Sequence, residues 1–536
     1  MFANSHRRVR AAAAVLSAAA LAALALTGAA AGAPGDRARS RVSLAPIGTY
    51  ESGVFDESAA EIVAHDPASQ RLFVVNAEAG VLDVLDIADP TAPTLISVIE
   101  AQGDGKINSV AAGDGVIAAA VEAEVSQDPG AVELYDADGR LLAAVEVGAL
   151  PDMLTFTPDG TKLVVANEGE PDGYCVGGVD PEGSVSIIDL AGGIDNPTVR
   201  TADFTAYNDR ADELRAAGVR IFGPGASVAQ DLEPEYVAID AGSTTAWVAL
   251  QENNAFAIVD LASATVTDIV PLGFKDHSAE GNGLDASNTD GEINIDTWPV
   301  QGMYMPDGID AYEHGNRTYI VTANEGDARD YDCYSEEARV KDLDLSGWPE
   351  ADELQDDANL GRLKTTTAFP TPEPVTELYS YGARSFSIRD EAGNLVFDSG
   401  DDFERITAAA LPEEFNSNND ENDSFDTRSD DKGPEPEGIE IGRAYGKTYA
   451  FIGLERVGGI MVYDITTPRH PRFVQYVNNR DFTGDAEAGI AGDLGPEGLA
   501  FITAADSPNG KPLLAVGNEV SGTTTIYELS GPGRPR

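Results

Sequence analysis

Reactive side chains are scarce in this chain. Among 536 residues there are 2 cysteines and 5 histidines. So few histidines leave no zinc-ligand spacing, and His277 and His314 read as ordinary loop residues. No G-x-S-x-G elbow occurs, so Ser–His–Asp hydrolysis finds no motif here. Positive charge is also short: 35 Lys plus Arg stand against 91 Asp plus Glu, a formal charge of −56. Such a surface repels phosphate backbones and excludes nucleic acid as a main partner. After residue 33 no apolar run reaches the roughly 20 residues a membrane helix needs, so no transmembrane span is expected.

The one long apolar run lies at the start, in "MFANSHRRVRAAAAVLSAAALAALALTGAAAGAPG". Arg7, Arg8 and Arg10 precede the apolar stretch Ala11 to Leu26, and small residues offer cleavage after Ala31 or Ala33. Residues 1–33 therefore read as a signal peptide and are set apart from the fold. Arg7-Arg8 hints at twin-arginine export, but the residues after this pair fit that motif poorly. The ending "SGPGRPR" carries no anchor, so the expectation is a secreted, extracellular protein. Outside the cell a cysteine pair is oxidised, and a Cys175–Cys333 bridge is expected. Both cysteines close similar phrases, "ANEGEPDGYC" and "ANEGDARDYDC".

What the chain has in quantity is a repeat. A short apolar strand, a turn and a second apolar strand ending near an acid recur seven times, starting at Glu61, Ile107, Pro151, Pro234, Pro306, Pro436 and Pro496. Most copies continue with a third strand, such as "GSVSIIDL" or "GIMVYDI", and a more polar fourth. In the fifth copy an insertion displaces the third strand to "RSFSIRD" at Arg384. Four strands per unit, β-branched residues and turn signals predict an all-β, seven-bladed β-propeller over 41–529 with a short tail at 530–536. The last copy stops after its third strand at Leu529. Residues 41–54 are expected to supply the missing strand and close the ring, removing two open edges. Insertions fall at about 205–233, which includes a short helix stopped by Gly218, and at about 273–305, 333–383 and 415–435.

The acids keep the period of the repeat. Leading into the first strands stand Glu61, Asn108, Asp152, Glu235, Asp307, Glu437 and Glu497. Leaving the second strands stand Glu78 or a neighbour, Glu122, Glu168, Glu252, Glu325, Glu455 and Glu519. Blade geometry puts both sets on one face around one channel mouth. Crowded carboxylates need neutralising, and Ca²⁺, with six to eight oxygen ligands, suits such rings. Glu170 and Asp327 add acids in the third and fifth copies. A repeated Glu can instead serve as a structural tie between blades. Arg329, Arg428 and Lys432 lie among these acids, either as counter-charges or as an anion-binding arm beside metal ions. Around Asp285 and Asp290-Gly291 the spacing misses the EF-hand loop by one place.

The phrases "AGVRIFGPGASVAQDLEPEYVAI", "GMYMPDGI", "YIVTANEGDARDY", "NDENDSFDTRSDDKGPEPEGIEIG" and "GDLGPEGLAFI" resemble the choice-of-anchor I family of secreted bacterial β-propellers, over about Val42 to Leu529. The resemblance implies a propeller and a surface setting. Members are often held by varied C-terminal anchors, and some are labelled alkaline phosphatase-like or phytase-like. It brings no catalytic residues. Two functions fit: a Ca²⁺-stabilised extracellular binding module, monomeric, or a metal-dependent phosphoesterase. In the second, cations would hold a phosphoester and Arg329, Arg428 or Lys432 would steady the anion.

Overall fold

The computed structural model describes residues 42–103 and 105–531. The signal peptide read over 1–33, and most of the short tail, lie outside the described residues. Among the described residues the fold is all-β, with four short α-helices: Ala211–Ala217, Val228–Asp231, Ala351–Leu354 and Asp402–Ala410. No helix among the described residues is long and apolar enough to cross a membrane.

Seven antiparallel four-stranded sheets account for most of the strands. Their first strands are Val63–Asp66, Ile107–Gly113, Pro151–Phe156, Pro234–Ile239, Ile309–His314, Pro436–Ala444 and Pro496–Ile502. Five sheets are built from strands consecutive in sequence. In the fifth, Arg317–Asn324 pairs with Ser385–Asp390 across the insertion, in register from Tyr319↔Asp390 to Asn324↔Ser385. The seventh takes its outer strand from the other end of the sequence. Ser43–Glu51 runs antiparallel to Thr523–Ser530, from Ser43↔Ser530 to Glu51↔Thr523. The first strand of each sheet touches that of the next, and Pro496–Ile502 touches Val63–Asp66.

Second strands are buried on both faces, which is why they read as continuous apolar runs such as "KLVVAN" and "TAWVAL". Outer strands such as Thr94–Glu100 are mostly exposed and read as more polar. Apolar clusters fill the space between neighbouring sheets. One joins Val164, Val185 and Ile187 to Val237, Val248 and Val259. Another joins Val42 and Leu44 to Tyr449, Phe451, Leu514 and Leu529. The helix at 211–217 ends at Gly218, whose φ of 106° lets its amide turn back to the carbonyls of Leu214 and Arg215. The insertions pack as a layer of their own, with Leu284, Val300, Val340, Leu360 and Leu363 in one core.

Candidate metal centre

In five of the seven sheets the residue that leads the first strand sits at a local irregularity. Register shifts occur between Ile107 and Ser109, Pro151 and Leu154, Pro234 and Val237, Pro436 and Ile439, and Pro496 and Leu499. Asn108, Asp152, Glu235, Glu437 and Glu497 fall inside these bulges, which interrupt pairing and re-aim a side chain. In three copies the next residue is glycine. A Cβ on Gly308, Gly438 or Gly498 would lie 2.5, 1.8 or 2.4 Å from the carbonyl oxygen of Glu437, Glu497 or Glu61, respectively. Glycine there brings each leading acid against the backbone of the next.

All seven leading residues line one cavity of about 410 Å³: Glu61, Asn108, Asp152, Glu235, Asp307, Glu437 and Glu497, with Lys106 and Glu122 beside them. Three carboxylate triads could grip a single ion: Glu61, Glu497 and Glu519; Asp307, Glu325 and Glu437; and Glu325, Glu435 and Glu455. Glu168, Glu170 and Glu252 gather near Asp152 and Glu235, their charges raising one another's pKa. Buried oxygens of Glu235, Glu252, Glu437 and Glu497 have no hydrogen-bond partner. Glu78 is exposed and stands apart, and Asp327 is exposed at the rim.

The cost of this crowding is carried in the protonation equilibria. Burial, reinforced by neighbouring carboxylates, pushes Glu61, Asp152 and Glu252 up to about 7. Glu168, Glu235, Asp307, Glu437, Glu455 and Glu497 are raised further by the same causes, and Glu170, Glu325 and Glu519 are raised as well. Glu435 goes the other way. Burial raises it, but Lys432, Arg428 and Arg456 together outweigh burial and hold it at about 2.

Arg329, Arg428 and Lys432, read either as counter-charges or as an anion-binding arm, each meet carboxylates. Arg329 is fully buried and spent on the protein itself: it pairs with Asp231 and Glu233 and also donates to the Asp231 carbonyl at 2.8 Å. Arg428 pairs with Glu435 at 2.7 Å and Asp431 at 3.2 Å. Lys432 donates to Glu325 at 2.6 Å and lies 3.2 Å from Glu435. All three side chains are thus paired with carboxylates of the protein itself. Glu233 and Glu435 were missed as partners, although the phrase Glu-Pro-Glu at 233–235 and 435–437 marks both. In each phrase the first Glu binds a cationic side chain and the second faces the cavity.

Cys175 and Cys333 are joined, with Cα atoms 5.1 Å apart. Around the bridge Tyr174 packs edge-on against Tyr331 and Tyr334, at 5.4 and 5.6 Å between centroids. The Tyr331 hydroxyl donates to Glu170 at 3.0 Å. The segment between Arg329 and Glu336 thus lies against the start of the fourth sheet. Arg329 holds Asp231 and Glu233, Glu336 holds the buried Arg220, and Phe222 lies beneath the guanidinium groups of Arg329 and Arg220 at 4.6 and 4.2 Å. Closing a loop of 158 residues contributes several kcal/mol in the chain-entropy view, on the order of 4–5.

The profile of the choice-of-anchor I domain matches residues 61–468. The chain belongs to the choice-of-anchor I family. Two curated relatives align with this choice-of-anchor I chain. Gigasin-3a of Magallana gigas is 30% identical over 195 residues, 34% of this chain and 69% of its own length. The mesenchyme-specific cell surface glycoprotein of Strongylocentrotus purpuratus is 27% identical over 320 residues, 50% of this chain and 40% of its own. Among solved structures, Kuenenia stuttgartiensis hydrazine synthase overlaps with a TM-score of 0.45 at 12% identity, covering 89% of this chain and 98% of that one. The Cps50 (Swd1) β-propeller domain of Myceliophteria thermophila overlaps with a TM-score of 0.43 at 9% identity, over 91% and 100%. Neither overlap transfers a residue's role. Family and fold together support a surface module in general, and the disulfide is consistent with an extracellular setting.

Proposed function

We propose that this chain is an extracellular or cell-surface binding module, a seven-bladed propeller closed by strand 43–51, whose acidic mouth holds Ca²⁺. The observation that carries the reading is the cavity lined by the leading residue of every sheet, with unpartnered carboxylate oxygens on Glu235, Glu437 and Glu497. Unpaired buried acceptors are costly, and a hard cation with six to eight oxygen ligands satisfies several at once. The Strongylocentrotus purpuratus relative is by name a cell surface glycoprotein, which agrees with the setting. The phosphoesterase alternative loses its support, because Arg329, Arg428 and Lys432 are committed to Glu233, Glu435 and Glu325.

The test is thermal unfolding with and without cation. Binding to the native state alone adds about 2.7 kcal/mol at a hundredfold excess over Kd. Chelation lowers the melting temperature, and Ca²⁺ restores it better than Mg²⁺, which demands a tighter octahedron. Glu437→Gln with Glu497→Gln loses most of that response. An unchanged response in this variant makes the leading acids structural ties.

Stability is also expected to depend on pH. The raised carboxyls bind protons in the folded state that they release on unfolding, between their ordinary values near 4 and about 7. Metal-free protein is therefore most stable at the acid end of that window and loses stability as pH rises through it. Saturating Ca²⁺ flattens the slope. Equilibrium unfolding at a series of pH values checks it; a metal-free stability that rises with pH across this window contradicts the assignment.

A further inference from the structure

At the end of the sheets away from the leading acids, one patch carries the opposite charge. In the sixth sheet Glu437 stands at the start of Pro436–Ala444, and the turn after Ala444 lies roughly 25 Å away at about 3.3 Å per residue. Three turns meet there: His314 to Arg317 in the fifth sheet, and Ala444 to Lys447 and Asp464 to Arg472 in the sixth. Arg443 donates to the carbonyl of Glu313 at 3.1 Å, and the Tyr312 hydroxyl to that of Ile465 at 3.0 Å. Segments 313–317, 443–447 and 464–472 hold five Lys or Arg against two acids, in a chain where acids outnumber such cations 91 to 35. Lys447 pairs with Asp464, which also accepts from Thr466 at 2.6 Å. Arg317, Arg443, Arg469 and Arg472 are exposed and make no ion pair among the described residues.

A groove of about 410 Å³ opens between these turns, lined by Glu313, His314, Arg443, Tyr445, Lys447 and Thr466. That is the size of an ordinary ligand cleft. Tyr445 is its unusual member. Ala444 pairs with Lys447, so Tyr445 and Gly446 form a two-residue turn, and both have positive φ, 52° and 77°. Such turns favour Asn-Gly or Asp-Gly. The second sheet obeys this preference, with Asp114 and Gly115 between Gly113 and Val116. A tyrosine in the left-handed region is strained, and strain of this kind gathers where a side chain has work to do. The Tyr445 hydroxyl donates to the carbonyl of Leu529 at 2.7 Å, which fixes the ring. The residue is still 47% exposed.

We propose that this groove binds an acidic polysaccharide, a chain whose sugar units carry carboxylate or sulfate groups. Guanidinium forks match such oxyanions and are weakly hydrated. A fixed tyrosine ring offers a flat, amphipathic face to the apolar side of a sugar, with little left to order on binding. Cations spread over three turns suit charge repeated along a strand better than a single small anion. A bilayer or a duplex would also meet the acidic remainder of the surface and be repelled. A strand narrow enough to lie between the turns meets the patch alone. The groove shares no residue with the acidic cavity, and its binding requires no cation.

The test is binding of the full chain to immobilised heparin, which is sulfated, and alginate, which carries carboxylates only, with a chelator present. Saturable binding to at least one is expected, weakening as salt screens the exposed charges, with none to neutral dextran. The two arms tell which acid group is preferred. Arg443→Gln with Arg469→Gln and Arg472→Gln lowers the affinity on the order of tenfold, the sum of three exposed ion pairs. Tyr445→Asn gives the turn a residue it favours, so the variant folds as the parent does while its affinity falls. Glu437→Gln with Glu497→Gln leaves binding unchanged, so failure of the acidic cavity and failure of this groove are told apart. No binding of the native protein to either polysaccharide, or binding that survives the triple arginine variant undiminished, overturns the proposal. Equal or tighter binding of polyglutamate, single-stranded DNA or anionic vesicles overturns it as well.

Discussion

Removing residues 42–54 is expected to destabilise the protein by about 5 kcal/mol or more, far beyond the effect of trimming residues 532–536. Val42 and Leu44 are 7 and 1% exposed, and burying such side chains is worth about 1.5–3 kcal/mol each. The pairing from Ser43↔Ser530 to Glu51↔Thr523 adds a ladder of backbone hydrogen bonds at roughly 1 kcal/mol net apiece. Gln475 also holds both backbone groups of Leu44, at 2.9 and 3.0 Å, so the sixth sheet loses contacts as well. Without the strand, Thr523–Ser530 becomes an open edge, a site of association between chains. Denaturant unfolding and light scattering of the truncated protein check this. A midpoint equal to that of the full chain would falsify the role of the strand.

Replacing Arg329 by Met is expected to cost about 3–5 kcal/mol, the usual penalty for leaving buried charge uncompensated. Arg329, Asp231 and Glu233 have side chains 0–1% exposed, so water cannot take over. The triple variant Arg329→Met, Asp231→Asn, Glu233→Gln is expected to recover much of the loss, because a neutral set removes the uncompensated charge. A single variant within about 1 kcal/mol of the parent shows instead that the acids take up protons or solvent freely. The two variants together separate a counter-charge from an anion-binding arginine, whose loss would leave stability untouched.

The sheets were legible because their residues obey a local rule. Buried second strands must be apolar throughout, and turn signals such as Asp159-Gly160 separate the strands, so the copies can be aligned by eye. The leading acids were legible for the same reason: Pro-Glu-Gly or Pro-Asp-Gly recurs at a fixed place in several copies. The roles of Arg329 and Lys432 were not. Their partners Glu233 and Glu435 are 96 residues away in one case and three in the other, and only folding decides which acids a cation meets. The group around Glu404 was hidden more deeply. Glu404 accepts from the backbone N–H of Asp285 and from the Asn416 amide, which come from two insertions with no repeat to align them, and Glu404 itself sits on a helix the repeat did not foreshadow.

The hydroxyl groups of Thr49 and Thr525 are 2.9 Å apart, yet 476 residues separate them in the sequence. A chain synthesised in order presents strand 43–51 long before its partner 523–530. The earliest strand must wait, unpaired, until almost everything else has emerged. Loop-closure entropy grows slowly with length, but pairings this distant are slow to form. Completion of the architecture therefore reports that the whole polypeptide has arrived. A product that ends before residue 523 leaves both margins unpaired, and open strand edges invite association.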